Sequence, residues 1–293
     1  MIKNLILASR ANTVVATLSP IIIASLYAIA SYPGFSYLIF SVCLLFGICI
    51  QLGTNLSNDY YDFVNKVDTI EKIGPKNSIL IGMFSKDQFK KSFQLFYILA
   101  FVFGIILSLL QMSFLIFFGV CTSLLVSLFY TAGKKPLGYM ALGEILVFFI
   151  LGPFATFGIF YTQTKILSLS AALLGFGPGA ISTAILIVNN LRDIESDRAA
   201  NKKTIAILFG KNFSRFLYFL CVITACIVPM FFISLSHIYF LIIFSSLVCL
   251  LFLPLVKTVF TYKDPTVLDK TLENTAKILI IYTILLSIGL VLK

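Results

Sequence analysis

The stretch Ile166-Leu-Ser-Leu-Ser-Ala-Ala-Leu-Leu-Gly-Phe-Gly-Pro-Gly-Ala-Ile-Ser-Thr-Ala-Ile-Leu-Ile-Val-Asn-Asn-Leu191 carries no charge, and it runs straight into Arg192-Asp193-Ile194-Glu195-Ser196-Asp197-Arg198. A helix rises about 1.5 Å per residue, so an uncharged run of this length crosses the hydrocarbon core of a bilayer with residues to spare. The sudden appearance of charge at Arg192 marks where that helix leaves the apolar layer. Eight further runs read in the same way: Asn12–Ala30, Tyr37–Ser57, Phe93–Leu110, Phe114–Ala132, Leu142–Gln163, Phe216–Leu235, Ile238–Val256 and Leu272–Leu292. The last is the weakest, because Glu273 and Lys277 shorten its apolar core. A chain that is 59% hydrophobic and only 12% charged lies outside the range of soluble domains. The reading is therefore an all-α integral membrane protein.

Orientation follows from the basic residues, which favour cytoplasmic loops. With nine spans and a cytoplasmic N-terminus, every Lys and Arg except Lys165 and Lys293 falls inside, and so do all the carboxylates. Lys3 and Arg10 precede the first apolar run without a small-residue cleavage site to close it, so that run is expected to stay as a span. The six cysteines (Cys43, Cys49, Cys121, Cys221, Cys226 and Cys249) sit in apolar segments with no C-x-x-C pattern, and are expected to be small hydrophobes rather than a disulfide framework or a zinc site. His237 lies in an outer turn, away from the acids. The formal charge of +10 is taken up by inner loops, where it favours anionic lipids and substrates and calls for no nucleic acid.

Two inner connections, Phe63–Lys91 and Arg192–Arg215, are expected to be roughly 25 to 30 residues long, well beyond ordinary helix links. Gly74-Pro75 marks a turn in the first, and Ser85-x-x-Gln88 has the form of a capping box opening the third helix. Each long loop follows one copy of a short pattern, Asn58-x-x-x-Asp62 or Asn189-x-x-x-Asp193-x-x-x-Asp197. Residues four apart share a helix face, so each copy turns an amide and its carboxylates toward one spot. Magnesium binds through one or two carboxylates together with substrate phosphates, and acids beside hydrocarbon are costly enough to be a site by default. A basic rim of Lys72, Lys76, Arg192, Arg198, Lys202 and Lys203 suits diphosphate oxygens. Local ion pairing of Arg192 and Arg198 with Asp193, Glu195 and Asp197 is the plain alternative. Asp59, Asn189 and Tyr130 adjoin the motifs and join the candidate substrate contacts, although Tyr60, Tyr61 and Tyr130 also suit interface anchors. These features point to an allylic diphosphate whose tail lies in the bilayer and whose leaving group meets magnesium.

Several stretches, taken in order, carry a resemblance. They are Ser9-Arg10-Ala11-Asn12-Thr13, Asn55-Leu-Ser-Asn58-Asp59-Tyr60-Tyr61-Asp62-Phe63 with Val67-Asp68-Thr69, Gly74-Pro75, Tyr130-Thr131, Gly138-Tyr139, Leu142-Gly143-Glu144, Tyr161-Thr162-Gln163-Thr164, Asn189 to Arg198, and Lys202-Lys203-Thr204. The set resembles the UbiA superfamily of membrane prenyltransferases, and within it the branch that acts on 1,4-dihydroxy-2-naphthoate. The resemblance implies nine helices around a central cavity with a cytoplasmic loop cap, one polytopic domain over residues 1–293, and magnesium as cofactor. It implies transfer of a polyprenyl group from polyprenyl diphosphate to 1,4-dihydroxy-2-naphthoate, with loss of CO2 and diphosphate, giving demethylmenaquinone at a bacterial inner membrane. It further implies Asn58, Asp62 and Asp68 as the first metal and diphosphate cluster and Asp193 and Asp197 as the second. Arg10, Lys72 and Lys203 become diphosphate contacts, and Glu144 a residue that holds the acceptor or orders the cap. The wide gap from Asp62 to Asp68 predicts that Asp68 lies off the helix, and Lys76-Asn77 stands where the family places an Arg. Rival readings are another acceptor such as 4-hydroxybenzoate, a secondary transporter with echoing halves, and a non-catalytic quinone-binding scaffold, which has no use for metal-spaced carboxylates.

Overall fold

The computed structural model describes residues 11–68, 73, 77–133 and 136–292. Among these, nine helices are long and apolar enough to cross a membrane. They are α1 (Ala11–Ser31), α2 (Tyr37–Val64), α3 (Lys86–Leu110), α4 (Phe114–Thr131), α5 (Gly143–Thr164), α6 (Leu169–Arg192), α7 (Gly210–Leu235), α8 (His237–Thr261) and α9 (Val267–Leu292). Serines set three of the starts on the face opposite the acidic motifs. Ser36, Ser113 and Ser168 accept hydrogen bonds from the backbone N–H groups of Ile39, Ile116 and Ala171, which relieves donors that lipid cannot satisfy. On the acidic face, Ser85 and Gln88 form the expected reciprocal cap of α3, at 3.2 and 3.0 Å.

Helix ends differ from the sequence expectation more than helix number does. α2 runs on to Val64, α3 begins at Lys86, α7 at Gly210 and α9 at Val267. Hydropathy stops at the first charged residue, whereas the backbone ladder continues into water. The first expected long loop is thus shortened at both ends, and the second is mostly helix, holding two short helices, Ile194–Ala199 and Ile205–Leu208, before α7 begins.

The bundle is organised around α6, 78% of whose apolar window is buried, against 17% for α4 at the periphery. α6 packs against α1, α5, α7 and α9. Helices in lipid gain little from hydrophobicity and much from close approach, so small residues mark the contacts. A Cβ on Gly175 would lie 2.6 Å from the carbonyl oxygen of Gly152, at the kink where α5 passes through a π-helical turn, Ile150–Phe154, containing Pro153. Gly289 of α9 serves the same end against Ile242, in the 3-10 opening of α8. A polar ladder joins α2 to α3 and α4: the Ser57 hydroxyl lies 3.0 Å from Thr131 and 3.2 Å from Tyr97. Large apolar side chains such as Ile98, Phe118, Leu169 and Leu253 face outward, as lipid contact requires. Cys226 of α7 and Cys249 of α8 form a disulfide, contrary to the reading of all six cysteines as plain hydrophobes. The pairing depends on the packing of adjacent helices at a Cα separation of 6.1 Å, which no local spacing reports.

Candidate active site

Three segments on one face of the bundle bring the acids together. The first is the end of α2. Because the helix continues to Val64, Asn58, Asp59 and Asp62 all lie on it, with Asp59 and Asp62 only 3% and 2% exposed. Lys66 then turns with φ 56°, and the N–H groups of Val67 and Asp68 fold back onto the carbonyl of Asp62, at 2.8 and 3.4 Å. Asp68 is therefore buried but off the helix, as its spacing predicts. Asn77 holds it there: one amide group donates to the Asp68 carboxylate at 2.8 Å and to the Asp59 carbonyl at 2.7 Å. The sequence reading noted Asn77 only as a departure; its side chain ties the first cluster together.

The second segment follows α4. Its 3-10 turn, Leu137–Tyr139, docks on the stretch after α6 through a short parallel bridge between Met140 and Lys203. Ala141 N–H donates to the Lys203 carbonyl at 2.7 Å, and Lys203 N–H to the Tyr139 carbonyl at 3.2 Å. Lys203 contributes backbone here, while its side chain is exposed. The bridge places Tyr139 so that its hydroxyl donates to Asp62. It also places Lys202, whose Nζ lies 5.3 Å from the centre of the Tyr139 ring and 3.5 Å from an Asp197 oxygen. Burial alone would lower the Lys202 pKa, but the negative charges of Asp62 and Asp197 outweigh it and hold the ammonium above the ordinary lysine range. Burial and the adjacent Asp62 likewise push the Tyr139 phenol up, so it stays a neutral donor. Asp62 and Asp197, from opposite halves of the chain, thus converge on one largely buried cation. Tyr130 lies within reach of the same charges, with its hydroxyl 3.0 Å from where a Cβ on Gly143 would stand and its ring against Gly138.

The third segment is the end of α6. Asp193 caps it, and Arg192 binds Asp193 with both arms of its guanidinium, at 2.7 and 2.8 Å. The same group reaches Asn189 at 2.8 Å and Asp269 of α9 at 2.7 Å. Asn190 donates to the buried Glu144 side chain at 2.9 Å, which gives that polar group a partner at the start of α5. Arg198 points outward and pairs with Glu195 at 3.7 Å, both side chains largely exposed. Arg10, Lys72 and Lys76 lie outside the described residues. Among the described residues, no three His, Cys, Asp or Glu side chains gather at metal-ligand spacing. Lys202 belongs to the basic rim expected from the sequence; of the residues not singled out there, Tyr139 had a signal in Gly138-Tyr139 and Asp269 had none.

On the bilayer side, α1 and α9 enclose an apolar groove of about 610 Å³, lined by residues including Val15, Leu18, Ile22, Ile280, Ile284 and Ile288. A nine-span bundle with acids from two segments brought to one largely buried ammonium, and an apolar groove in its flank, has the build of a membrane prenyltransferase. The chain belongs to the UbiA prenyltransferase family, whose pattern matches residues 17–288. It is 31% identical over 282 residues to the 1,4-dihydroxy-2-naphthoate octaprenyltransferase of Haemophilus influenzae, covering 90% of this chain and 87% of that one. Its fold superposes on a UbiA homolog from Aeropyrum pernix with a TM-score of 0.70 at 13% identity, covering 95% of this chain and 97% of the other. It also superposes on a UbiA homolog from Archaeoglobus fulgidus bound to DMAPP and Mg2+, with a TM-score of 0.62 at 14% identity, covering 97% and 99%.

Proposed function

We propose that this protein transfers a polyprenyl group from polyprenyl diphosphate to 1,4-dihydroxy-2-naphthoate, in the making of menaquinone. The observation that carries prenyl transfer is the convergence of Asp62 and Asp197 on one largely buried cation, Lys202, in a bundle whose α1 and α9 carry a separate apolar groove. The acceptor is supported by the relative from Haemophilus influenzae, matched over nine tenths of this chain. In the reaction the allylic C–O bond to diphosphate breaks, a C–C bond forms at the ring carbon that bears the carboxyl group, and CO2 leaves. The product is the quinol form of demethylmenaquinone.

The donor set fits magnesium. It consists of hard oxygens from Asn58, Asp62, Asp68, Asp193 and Asp197, and the reading is supported by the cations that two of these acids already pair with, Lys202 at Asp197 and Arg192 at Asp193. One or two of these carboxylates per ion, completed by substrate phosphates, is the usual arrangement for magnesium. Held there, magnesium would supply positive charge to offset that of the leaving diphosphate. The chain's own residues do the rest. Tyr139 orients Asp62, Lys202 offers an ammonium to phosphate oxygens, and Tyr130 and Glu144 border the space for the acceptor. Arg10, Lys72, Lys76, Asp59 and Asn189 complete the substrate contacts, with Lys202 taking the part the sequence reading gave to Lys203. The whole chain forms one polytopic domain in a bacterial inner membrane, with its N-terminus and acidic face cytoplasmic.

The test is a competition. Purified protein in detergent, with magnesium and a polyprenyl diphosphate, is given 1,4-dihydroxy-2-naphthoate and 4-hydroxybenzoate at equal concentration, and products are identified by mass. The naphthoate is expected to win by about tenfold or more, since a site fitted to a bicyclic ring loses roughly 1–3 kcal/mol with a smaller one. Preference for the benzoate overturns the acceptor, and activity indifferent to EDTA or to Asp62→Asn overturns the metal chemistry.

A further inference from the structure

The guanidinium of Arg192 is engaged inside the protein. Its side chain is 4% exposed, and every nitrogen has a partner: Nε and Nη2 on the two oxygens of Asp193, Nη2 also on Asn189, and Nη1 on Asp269 at 2.7 Å. Asp269 stands in the first turn of α9, far along the chain from the second acidic motif. A two-armed Arg–carboxylate pair fixes the carboxylate's plane as well as its charge. Taken alone, the pair of Arg192 with Asp193 is neutral, and a neutralised carboxylate is a poor ligand for a cation. Asp269 changes that balance. One guanidinium shared between two carboxylates leaves the three side chains with an excess of negative charge, and Asp269, 41% exposed, sits on the solvent side of the trio. Further along α9, Ile280, Ile284 and Ile288 form a wall of the apolar groove.

We propose that Asp269 is a positioning residue for the reaction: through Arg192 it holds Asp193 in place and keeps the second acidic motif negative enough to receive magnesium with diphosphate. It also fastens that motif to α9, the helix that flanks the groove. This rests on the magnesium diphosphate reading of the site given above, and it adds a residue from the last helix that neither acidic motif contains.

The experiment reads binding apart from turnover. Purified full-length protein is titrated with magnesium in the presence of inorganic diphosphate, and the rise in unfolding temperature gives the half-saturating magnesium concentration. Partners behind a metal ligand typically carry about tenfold to a hundredfold in affinity. Asp269→Asn, which keeps the shape and an acceptor oxygen but not the charge, is expected to raise that concentration within this range. Asp269→Glu should recover most of the loss, and the same order should appear in the magnesium dependence of kcat/KM. A wild-type titration curve for Asp269→Asn overturns the proposal while the site reading stands. No stabilisation of the wild-type protein by magnesium and diphosphate overturns both. Equal loss in the Asn and Glu variants, with unchanged yield and unfolding temperature before titration, also overturns it, because the carboxylate would then not be what matters.

Discussion

Replacing Tyr139 with Phe removes one hydroxyl from the site and little else. The ring remains beneath the Lys202 ammonium, which stands 5.3 Å from its centre, so that cation–π contact is kept. What is lost is the hydrogen bond from the phenol to Asp62, a carboxylate only 2% exposed. A hydrogen bond to a buried charge is worth about 1.5–3 kcal/mol. Since each 1.36 kcal/mol of barrier is a factor of ten, full expression of that loss in the transition state lowers kcat/KM by roughly tenfold to 150-fold. Asp62 can recover part of it by turning toward Lys202, which places the expected result nearer the lower bound. Tyr139→Leu removes the ring as well and should fall further, by another 0.5–2 kcal/mol or about two- to thirtyfold. The assay is product formation by the purified variants over a range of diphosphate and acceptor concentrations, with magnesium fixed. Wild-type kcat/KM in Tyr139→Phe refutes the view that the phenol orients Asp62. A loss confined to the KM for the acceptor shows instead that Tyr139 contacts the ring substrate.

Three other expectations come from different parts of the molecule. Gly175→Val should cut the yield of folded protein and destabilise by about 1–3 kcal/mol or more, because its Cβ would lie 2.6 Å from the Gly152 carbonyl and two backbones would have to part; a normal unfolding temperature contradicts the close-packed crossing of α5 and α6. Lys202 has a pKa raised in the folded state, so its contribution to stability is full below the ordinary lysine pKa of about 10.4 and is lost as pH rises beyond it. The gap in unfolding temperature between wild type and Lys202→Gln should therefore hold steady from neutral pH to about 9.5 and begin to narrow above about 10.4, disappearing only as pH passes the higher folded-state value, whereas closure near neutrality shows that the ammonium is not held by Asp62 and Asp197. Single cysteines at Glu195 and Leu167, introduced into a background freed of native cysteines, should label from opposite faces of the membrane, Glu195 from the cytoplasm; the reverse pattern inverts the topology.

The spans were legible because length without charge is a one-dimensional property, and lipid admits few other solutions. That Asn58 and Asp62 stand on one helix was legible for a related reason, since their spacing is that of a helix face, whereas α6 stops at Arg192 and Asp197 stands on the short helix beyond. The rest depended on contacts between distant segments. Tyr139 reaches Asp62 only because a backbone bridge seats the turn after α4 on the stretch after α6. Lys202 and Lys203 are indistinguishable as letters, and the same bridge decides which ammonium is buried and which is exposed. Arg192 looked like a hand extended to phosphate, yet Asp193 and Asp269 hold all of it. Asp269 is one more solvated acid at a helix start until α9 is packed beside α6. The disulfide between Cys226 and Cys249 was hidden in the same way.

The burial of α6 has a consequence for how the chain is made. Its glycines and its buried Ser182 and Thr183 suit a protein environment better than open lipid, and two of the helices that cover it, α7 and α9, leave the ribosome only after it does. Through much of its synthesis, then, the most enclosed helix of the finished protein has only part of its shelter, with α1 and α5 as early companions. Completion falls to the final helix, which brings both the last side of that shelter and the carboxylate that meets Arg192. A nascent protein that stalls before α9 therefore has both acidic motifs but lacks the carboxylate that meets Arg192 at the second of them.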